Sequence, residues 1–357
     1  MYFYKEFSSN TLAPSGNQSY FLSDNLPIKS RSFYKVFAGG KYNYSLMFSN
    51  IIDSTFADGS HSQKNYCCRE WTIKNATVAL VKGDTKDFSN AALMNKKQLK
   101  FNGETEKKVG YEEIFWCDAF PFEAKKDDYI CLEMEFCGTE MPYFEEILIP
   151  AYVKEGEKWV LNNKTPLCAM LGCDRKVEKK VGFLGDSITE GIGTEKNSYA
   201  WWCAKIAEFI GEKYSFWNLG IGFGRIDDVA TDKMWLSKAK KLDVVTLCMG
   251  VNDICQSFDT DTVINNIEKT VDILKENGVR VILFTVPPFD WQGEKINKWK
   301  EVNDYINTVL SKKTEIFDTV SVWGMDKPNE NISRFGGHPN EEGCLRLAEK
   351  FIKEIKL

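Results

Sequence analysis

The chain predicts two domains of different class, an all-β sandwich over residues 1–175 and an α/β domain with a parallel sheet over residues 176–357. Three observations carry this. The 357 residues exceed what one ordinary core encloses. From Arg31 to about Pro150, apolar and polar residues alternate in short aromatic-rich segments broken by turn residues, the pattern of antiparallel strands. After Lys180, apolar runs alternate with amphipathic helical patterns, which implies β-α-β units with helices on both faces of the sheet.

In the first half, strands are expected at Ser32–Phe37, Tyr42–Phe48, Trp71–Val81, Leu99–Gly103, Val109–Phe115 and Tyr129–Phe136. The aromatics there are expected to fill a sandwich core. His61, in the polar stretch Asp58–Asn65, reads as a solvated loop histidine. Val153–Lys180, with its Lys, Glu and Gly clusters, reads as connector and domain boundary.

In the second half, Val181–Leu184 reads as a buried strand, followed by helical periodicity from Tyr199 to Ile210. Lys213–Asn218 is the second strand and Ile226–Lys240 a helix. Leu242–Met249 is nearly all apolar, as expected of a strand covered on both faces. A helix over Asp261–Asn277 ends at Gly278, and Val279–Val286 is the fourth strand. Ile296, Trp299, Val302, Tyr305, Ile306 and Val309 mark a further helix, and Glu315–Val320 the last strand. The closing helix starts at Glu341 and presents Leu345, Ala348, Phe351, Ile352 and Ile355 inward.

The net charge of −5 offers no basic footprint for nucleic acid. No apolar run approaches the ~18 residues that a membrane span needs. The first ten residues lack the basic and apolar regions of a secretory signal, so a cytoplasmic location is expected. The eleven cysteines are an odd number and scattered, which fits reduced thiols. With two histidines, His61 and His338, and no C-x-x-C pair, no metal site is expected.

Four short stretches meet at the carboxyl ends of the predicted parallel strands, where α/β sheets place their ligands. Gly185-Asp186-Ser187 follows the first strand and presents a hydroxyl. Asn218-Leu-Gly-Ile-Gly-Phe-Gly-Arg225 follows the second and exposes backbone N–H groups. Gly250-Val-Asn252-Asp253 follows the third and offers a side-chain amide. Gly336-Gly-His338-Pro-Asn340 precedes the last helix and supplies a base. Ester hydrolysis needs a hydroxyl nucleophile, a base for its proton and donors aimed at the developing oxyanion. Each stretch alone also has an ordinary structural reading: a turn, a phosphate cradle, a helix cap, a loop histidine. Their occurrence together at one sheet edge favours the chemical one.

These four stretches resemble, in order, the four blocks of the SGNH (GDSL-type) hydrolases, over residues 181–357. The resemblance implies a flavodoxin-like three-layer α/β/α fold that hydrolyses esters without a cofactor. It implies Ser187 as nucleophile and His338 as base. It further implies an oxyanion hole from the Ser187 N–H, the Gly222 turn and the Asn252 amide. The N-terminal half resembles the jelly-roll-like sandwich that precedes the hydrolase domain in some carbohydrate esterases, through Gly39–Asn50 and Phe115–Leu132.

Two positions depart from the family pattern. Phe335 stands three residues before the histidine, where an aspartate is usual. In the oxyanion turn Phe223 stands where the second glycine is usual, so Gly222 and Phe223 both remain candidate donors. The Nδ1–H of His338 then needs another acceptor: a backbone carbonyl, the favoured choice, or Asp326 or Glu330. The leading expectation is a serine esterase for small acyl esters, acetyl on carbohydrate foremost. Its partners would be small-molecule or carbohydrate esters. Phe258, Phe289 and Trp291 near the site suggest a lipase- or thioesterase-like activity on longer chains as an alternative. A non-catalytic carbohydrate-binding protein on a degenerate hydrolase fold is the third reading.

Overall fold

The structure is a computed structural model that describes residues 8–21, 26–56, 62–144, 146–166, 168–231, 234–324 and 330–357. The first half is built of antiparallel sheets. In one, Gly40–Ser49 is central, pairing with Cys168–Cys173, Ile114–Trp116 and Phe120–Ala124, while Ser8–Ser9 edges Cys168–Cys173. The other runs Lys158–Leu161, Ala151–Glu155, Ile28–Lys35, Tyr129–Gly138, Trp71–Val81, Met94–Gln98, with Lys107–Val109 also on Trp71–Val81. Phe48 and Leu46 of the first sheet and Tyr34, Ile73 and Leu132 of the second belong to one buried cluster. Alternation sends these side chains inward while Lys29, Lys96 and Glu135 of the second sheet stay near water.

Three expectations for this half are corrected. Val153–Lys180 is not a connector: it contributes parts of three strands, because Tyr152 and Val153 pair with Arg31 and Ser30, and Cys168–Cys173 joins Gly40–Ser49. Leu99–Gly103 is a turn closed by the Phe101–Glu104 bridge, and the strand lies just before it at Met94–Gln98. Val109–Phe115 divides at Gly110–Glu113, where the Glu113 carboxylate accepts from the Gly110 N–H at 2.8 Å. His61 lies outside the described residues.

The last antiparallel strand ends at Cys173 and the first parallel one begins at Lys180. The parallel sheet has the order Ser215–Gly220, Lys180–Gly185, Val244–Cys248, Arg280–Phe284, Glu315–Phe317, which is 2-1-3-4-5 in chain order. All four pairings are parallel. The order reverses between Lys180–Gly185 and Val244–Cys248, so the crevice at their carboxyl ends is the switch point where such sheets bind ligands. Helices Trp202–Ile210 and Glu341–Glu354 pack together, and Thr260–Glu276 packs with Glu294–Thr308. Together they complete a three-layer α/β/α arrangement.

Two helical expectations change. Ile226–Lys240 is two short helices, Ile226–Val229 and Met234–Ala239. The second is tied down by two contacts: Lys238 pairs with Asp53 of the first half at 2.6 Å, and Trp235 Nε1 donates to the Leu219 carbonyl. The inner face of the last helix is Cys344, Leu347, Ala348 and Phe351, with Leu345 and Ile352 only half-buried. A thiol here behaves as a small apolar side chain. None of the eleven cysteines is in a disulfide, and burial holds the Cys203, Cys248 and Cys344 thiols above their ordinary range.

The two halves share a buried boundary. The Arg175 guanidinium donates to the carbonyls of Ser9, Gly211 and Tyr214, and the Ser9 N–H donates to Ser215 Oγ at 2.7 Å.

Candidate active site

Ser187 opens a single helical turn, Ser187–Glu190, directly after the first parallel strand. Asp186 caps that turn, its carboxylate accepting from the Ile188 N–H at 3.0 Å. The glycine before them is required by space. A Cβ at Gly185 would lie 1.9 Å from Thr189 Oγ1 and 2.8 Å from the Cys248 carbonyl, so the sharp approach of turn to sheet excludes any side chain. The Asp186 carboxyl is buried and its pKa is pushed up to about 7 by that burial.

Ser187 Oγ and His338 Nε2 are 2.8 Å apart, although 151 positions separate them in the chain. The Nδ1 atom of the same ring lies 3.0 Å from the Phe335 carbonyl oxygen. Gly336 and Gly337 make this possible with φ of 66° and 100°, values that favour glycine and fold the Phe335 carbonyl back under the ring. With Nδ1–H donated to that carbonyl, Nε2 is the bare nitrogen that faces the serine. Glu330 is exposed, and Asp326 lies outside the described residues. The imidazole is buried against Phe289 and Phe335, with ring centroids at 5.4 and 4.9 Å. Burial lowers its pKa from the ordinary histidine value, opposed by the bond to Phe335.

The glycine-rich turn after the second strand holds a buried Gly222 and a Phe223 with φ of 59°. The Gly222 N–H donates to Glu190 Oε2 at 2.5 Å, within the protein. The reading of Gly222 as an oxyanion donor is therefore corrected: its only N–H is directed to a carboxylate, and the neighbouring candidate is the Phe223 N–H. Asn252 begins the second residue of helix Val251–Cys255, where one Nδ2 hydrogen goes to the Gly224 carbonyl at 2.9 Å. An amide nitrogen carries two hydrogens.

Ser187, His338, Gly222 and Asn252 line one cavity of about 460 Å³. Its walls include Phe223, Phe289 and Phe335, and its polar rim Gln256 and Glu146. Of the aromatics expected near the site, Phe289 is in the wall. Trp291 is buried behind it, and Phe258 packs on the Arg225 guanidinium. Glu146 comes from the first half of the chain and carries no local sequence signal. Among the described residues no group of three or more His, Cys, Asp or Glu side chains could hold a metal ion.

The family model of the GDSL-like Lipase/Acylhydrolase family matches residues 183–345. Residues 183–345 are thus similar to GDSL-like acylhydrolases. The matched residues include the Ser187 turn, the glycine-rich turn, Asn252 and His338. Among solved structures, the chain is similar to a member of the lipolytic protein G-D-S-L family from Veillonella parvula DSM 2008, at 20% identity, covering 49% of this chain and 97% of that one with a TM-score of 0.42. It is also similar to a GDSL-like lipase from Bacteroides thetaiotaomicron VPI-5482, at 22% identity, 50% and 87% coverage and a TM-score of 0.39. An acetyl xylan esterase matches at 21% identity, 50% and 100% coverage and a TM-score of 0.42. No curated protein matches the chain by sequence. No helix among the described residues is long and apolar enough to cross a membrane.

Proposed function

We propose that the protein is a serine ester hydrolase that cleaves small acyl esters through an acyl-enzyme, with acetyl esters of carbohydrates as the substrate class. The observation that carries the reading is the 2.8 Å contact of Ser187 Oγ with a histidine whose other nitrogen is held by the Phe335 carbonyl. Ser187 Oγ attacks the ester carbonyl while His338 Nε2 takes its proton. The carbonyl oxygen becomes an oxyanion, stabilised by the Ser187 N–H, the Phe223 N–H and the second hydrogen of the Asn252 amide. His338 returns the proton to the leaving alkoxide, and a water molecule repeats the sequence to release the acid. The catalytic unit is residues 176–357, and the first 175 residues form a jelly-roll-like domain that borders its cavity.

Sugar recognition is supported by the cavity walls. Aromatic faces suit the apolar C–H faces of a sugar ring, and Glu146 and Gln256 offer hydrogen-bond partners to hydroxyls. A second reading, hydrolysis of longer acyl chains, is favoured by the same volume and by Ile192 and the three phenylalanines in its walls. A panel of p-nitrophenyl esters from acetate to octanoate, with acetylated xylooligosaccharides beside it, separates the two. The proposal expects kcat/KM to be highest for acetate and release of acetate from the sugars. Rising kcat/KM with chain length and no release from sugars would favour the acyl-chain reading.

A further inference from the structure

The glycine-rich turn is held from two sides, and one side is the N-terminal half. Asn17 is fully buried and its Nδ2 donates to the Gly222 carbonyl at 2.7 Å. Two residues earlier, Ser15 Oγ donates to the Gly220 carbonyl. From the catalytic side, Glu190 Oε2 accepts from the Gly222 N–H at 2.5 Å and the Gly185 carbonyl from the Ile221 N–H at 3.0 Å.

The Gly222 carbonyl belongs to the same planar peptide as the Phe223 N–H. Among the described residues no peptide bond is cis, so the two groups point in opposite directions across that plane. Whatever fixes the carbonyl fixes the N–H. A hydrogen bond accepted at the carbonyl also polarises the peptide and strengthens the N–H as a donor. Phe223 holds φ of 59°, a left-handed conformation that a phenylalanine keeps only when its surroundings impose it.

We infer that Asn17 is a positioning residue for the oxyanion site, so that the N-terminal half takes part in catalysis by orienting the Phe223 N–H. This rests on the ester-hydrolase reading above. The GDSL-like domain begins 166 positions after Asn17, so the site is completed by a segment outside it.

The test uses the full chain with Asn17→Ala, Asn17→Asp and Ser15→Ala. The substrate is p-nitrophenyl acetate, and phenylboronic acid is the probe, since its tetrahedral serine adduct places an oxygen at the oxyanion position. Removing a direct oxyanion donor costs about 10²–10³ in kcat. Losing its orientation should cost part of that: kcat/KM in Asn17→Ala should fall roughly 10- to 100-fold, with the boronate Ki rising by a similar factor. Asn17→Asp keeps the volume but presents no N–H to the Gly222 carbonyl at neutral pH, so it should be at least as slow. It decides the matter if the alanine variant does not fold. Ser15→Ala should show a smaller loss in the same two readouts. Wild-type kcat/KM in Asn17→Asp, or a loss of kcat/KM with the boronate Ki unchanged, would overturn the role of Asn17. A wild-type protein that neither hydrolyses esters nor binds the boronate would overturn the functional reading itself.

Discussion

At the residue scale, the imidazole of His338 decides what the cavity can do. Its two nitrogens face Ser187 Oγ and the Phe335 carbonyl, a neutral acceptor where a carboxylate is usual. A carbonyl supports the imidazolium less than a carboxylate does, and burial disfavours that charge further. In the proposed mechanism His338 acts when neutral, so a lowered pKa extends its working range toward acid. The acid limb of the kcat/KM–pH profile should have its midpoint below the ordinary histidine value of about 6.5, and a midpoint above 7 would speak against this environment. Asp326→Asn and Glu330→Gln should each keep kcat within about tenfold of wild type, whereas losing a triad aspartate costs ~10⁴. Asn252→Ala should lower kcat by about 10²–10³ with KM nearly constant, since the amide acts on charge that develops in the transition state. Short motifs mark Ser187, His338 and Asn252 in the sequence, and the structure brings all three to one cavity. A backbone carbonyl at Nδ1 is the favoured sequence reading because Phe335 has no side-chain acceptor, but the sequence does not say that the carbonyl is that of Phe335 itself. Of the two candidate donors the sequence leaves open, the Gly222 N–H is directed to Glu190, and a sequence does not say where a buried carboxylate turns.

At the scale of elements, the parallel strands were legible because burial on both faces leaves near-continuous apolar runs, as in Val244–Cys248. Helix Thr260–Glu276 was legible to within a residue at each end, since the Asp259 side chain caps its start at the Thr262 N–H. The sequence predicts one helix over Ile226–Lys240 because the apolar periodicity does not register that the first helix ends at Val229 with Ala230 as its cap. The Ser187 turn has a pH signature of its own. Asp186 has a folded pKa of about 7 against 3.8 when unperturbed, and Asp253, raised to about 6 by its own burial, adds to it. The native state therefore binds more protons than the unfolded state between these values. Stability is fully present below the unfolded pKa and declines as pH rises through about 7. Asn at this position keeps a cap oxygen for the Ile188 N–H and removes the titration. Thermal unfolding at pH 4.5 and 7.5 should show a smaller loss in Asp186→Asn than in wild type. An equal loss would mean that Asp186 stays ionised across the range.

At the scale of the molecule, the N-terminal half is part of the site's architecture, through Asn17 and Ser15 at the glycine-rich turn and Glu146 at the cavity rim. None of these is legible in the sequence, because no short motif marks them and only the folded chain brings them to the turn and the cavity. The halves are also joined by the buried Lys238–Asp53 pair at 2.6 Å. Lys238→Met should cost about 3–5 kcal/mol in urea unfolding, because it strands a buried carboxylate, and a change under 1 kcal/mol would mean that the boundary admits water. The central claim is that Ser187 is an activated nucleophile, and reaction with a fluorophosphonate followed by intact-mass and peptide mapping tests it most directly. One adduct per chain on Ser187, absent in Ser187→Ala and strongly slowed in His338→Ala, is the predicted result. A folded protein that takes up no label, or carries it on another residue, would contradict the account.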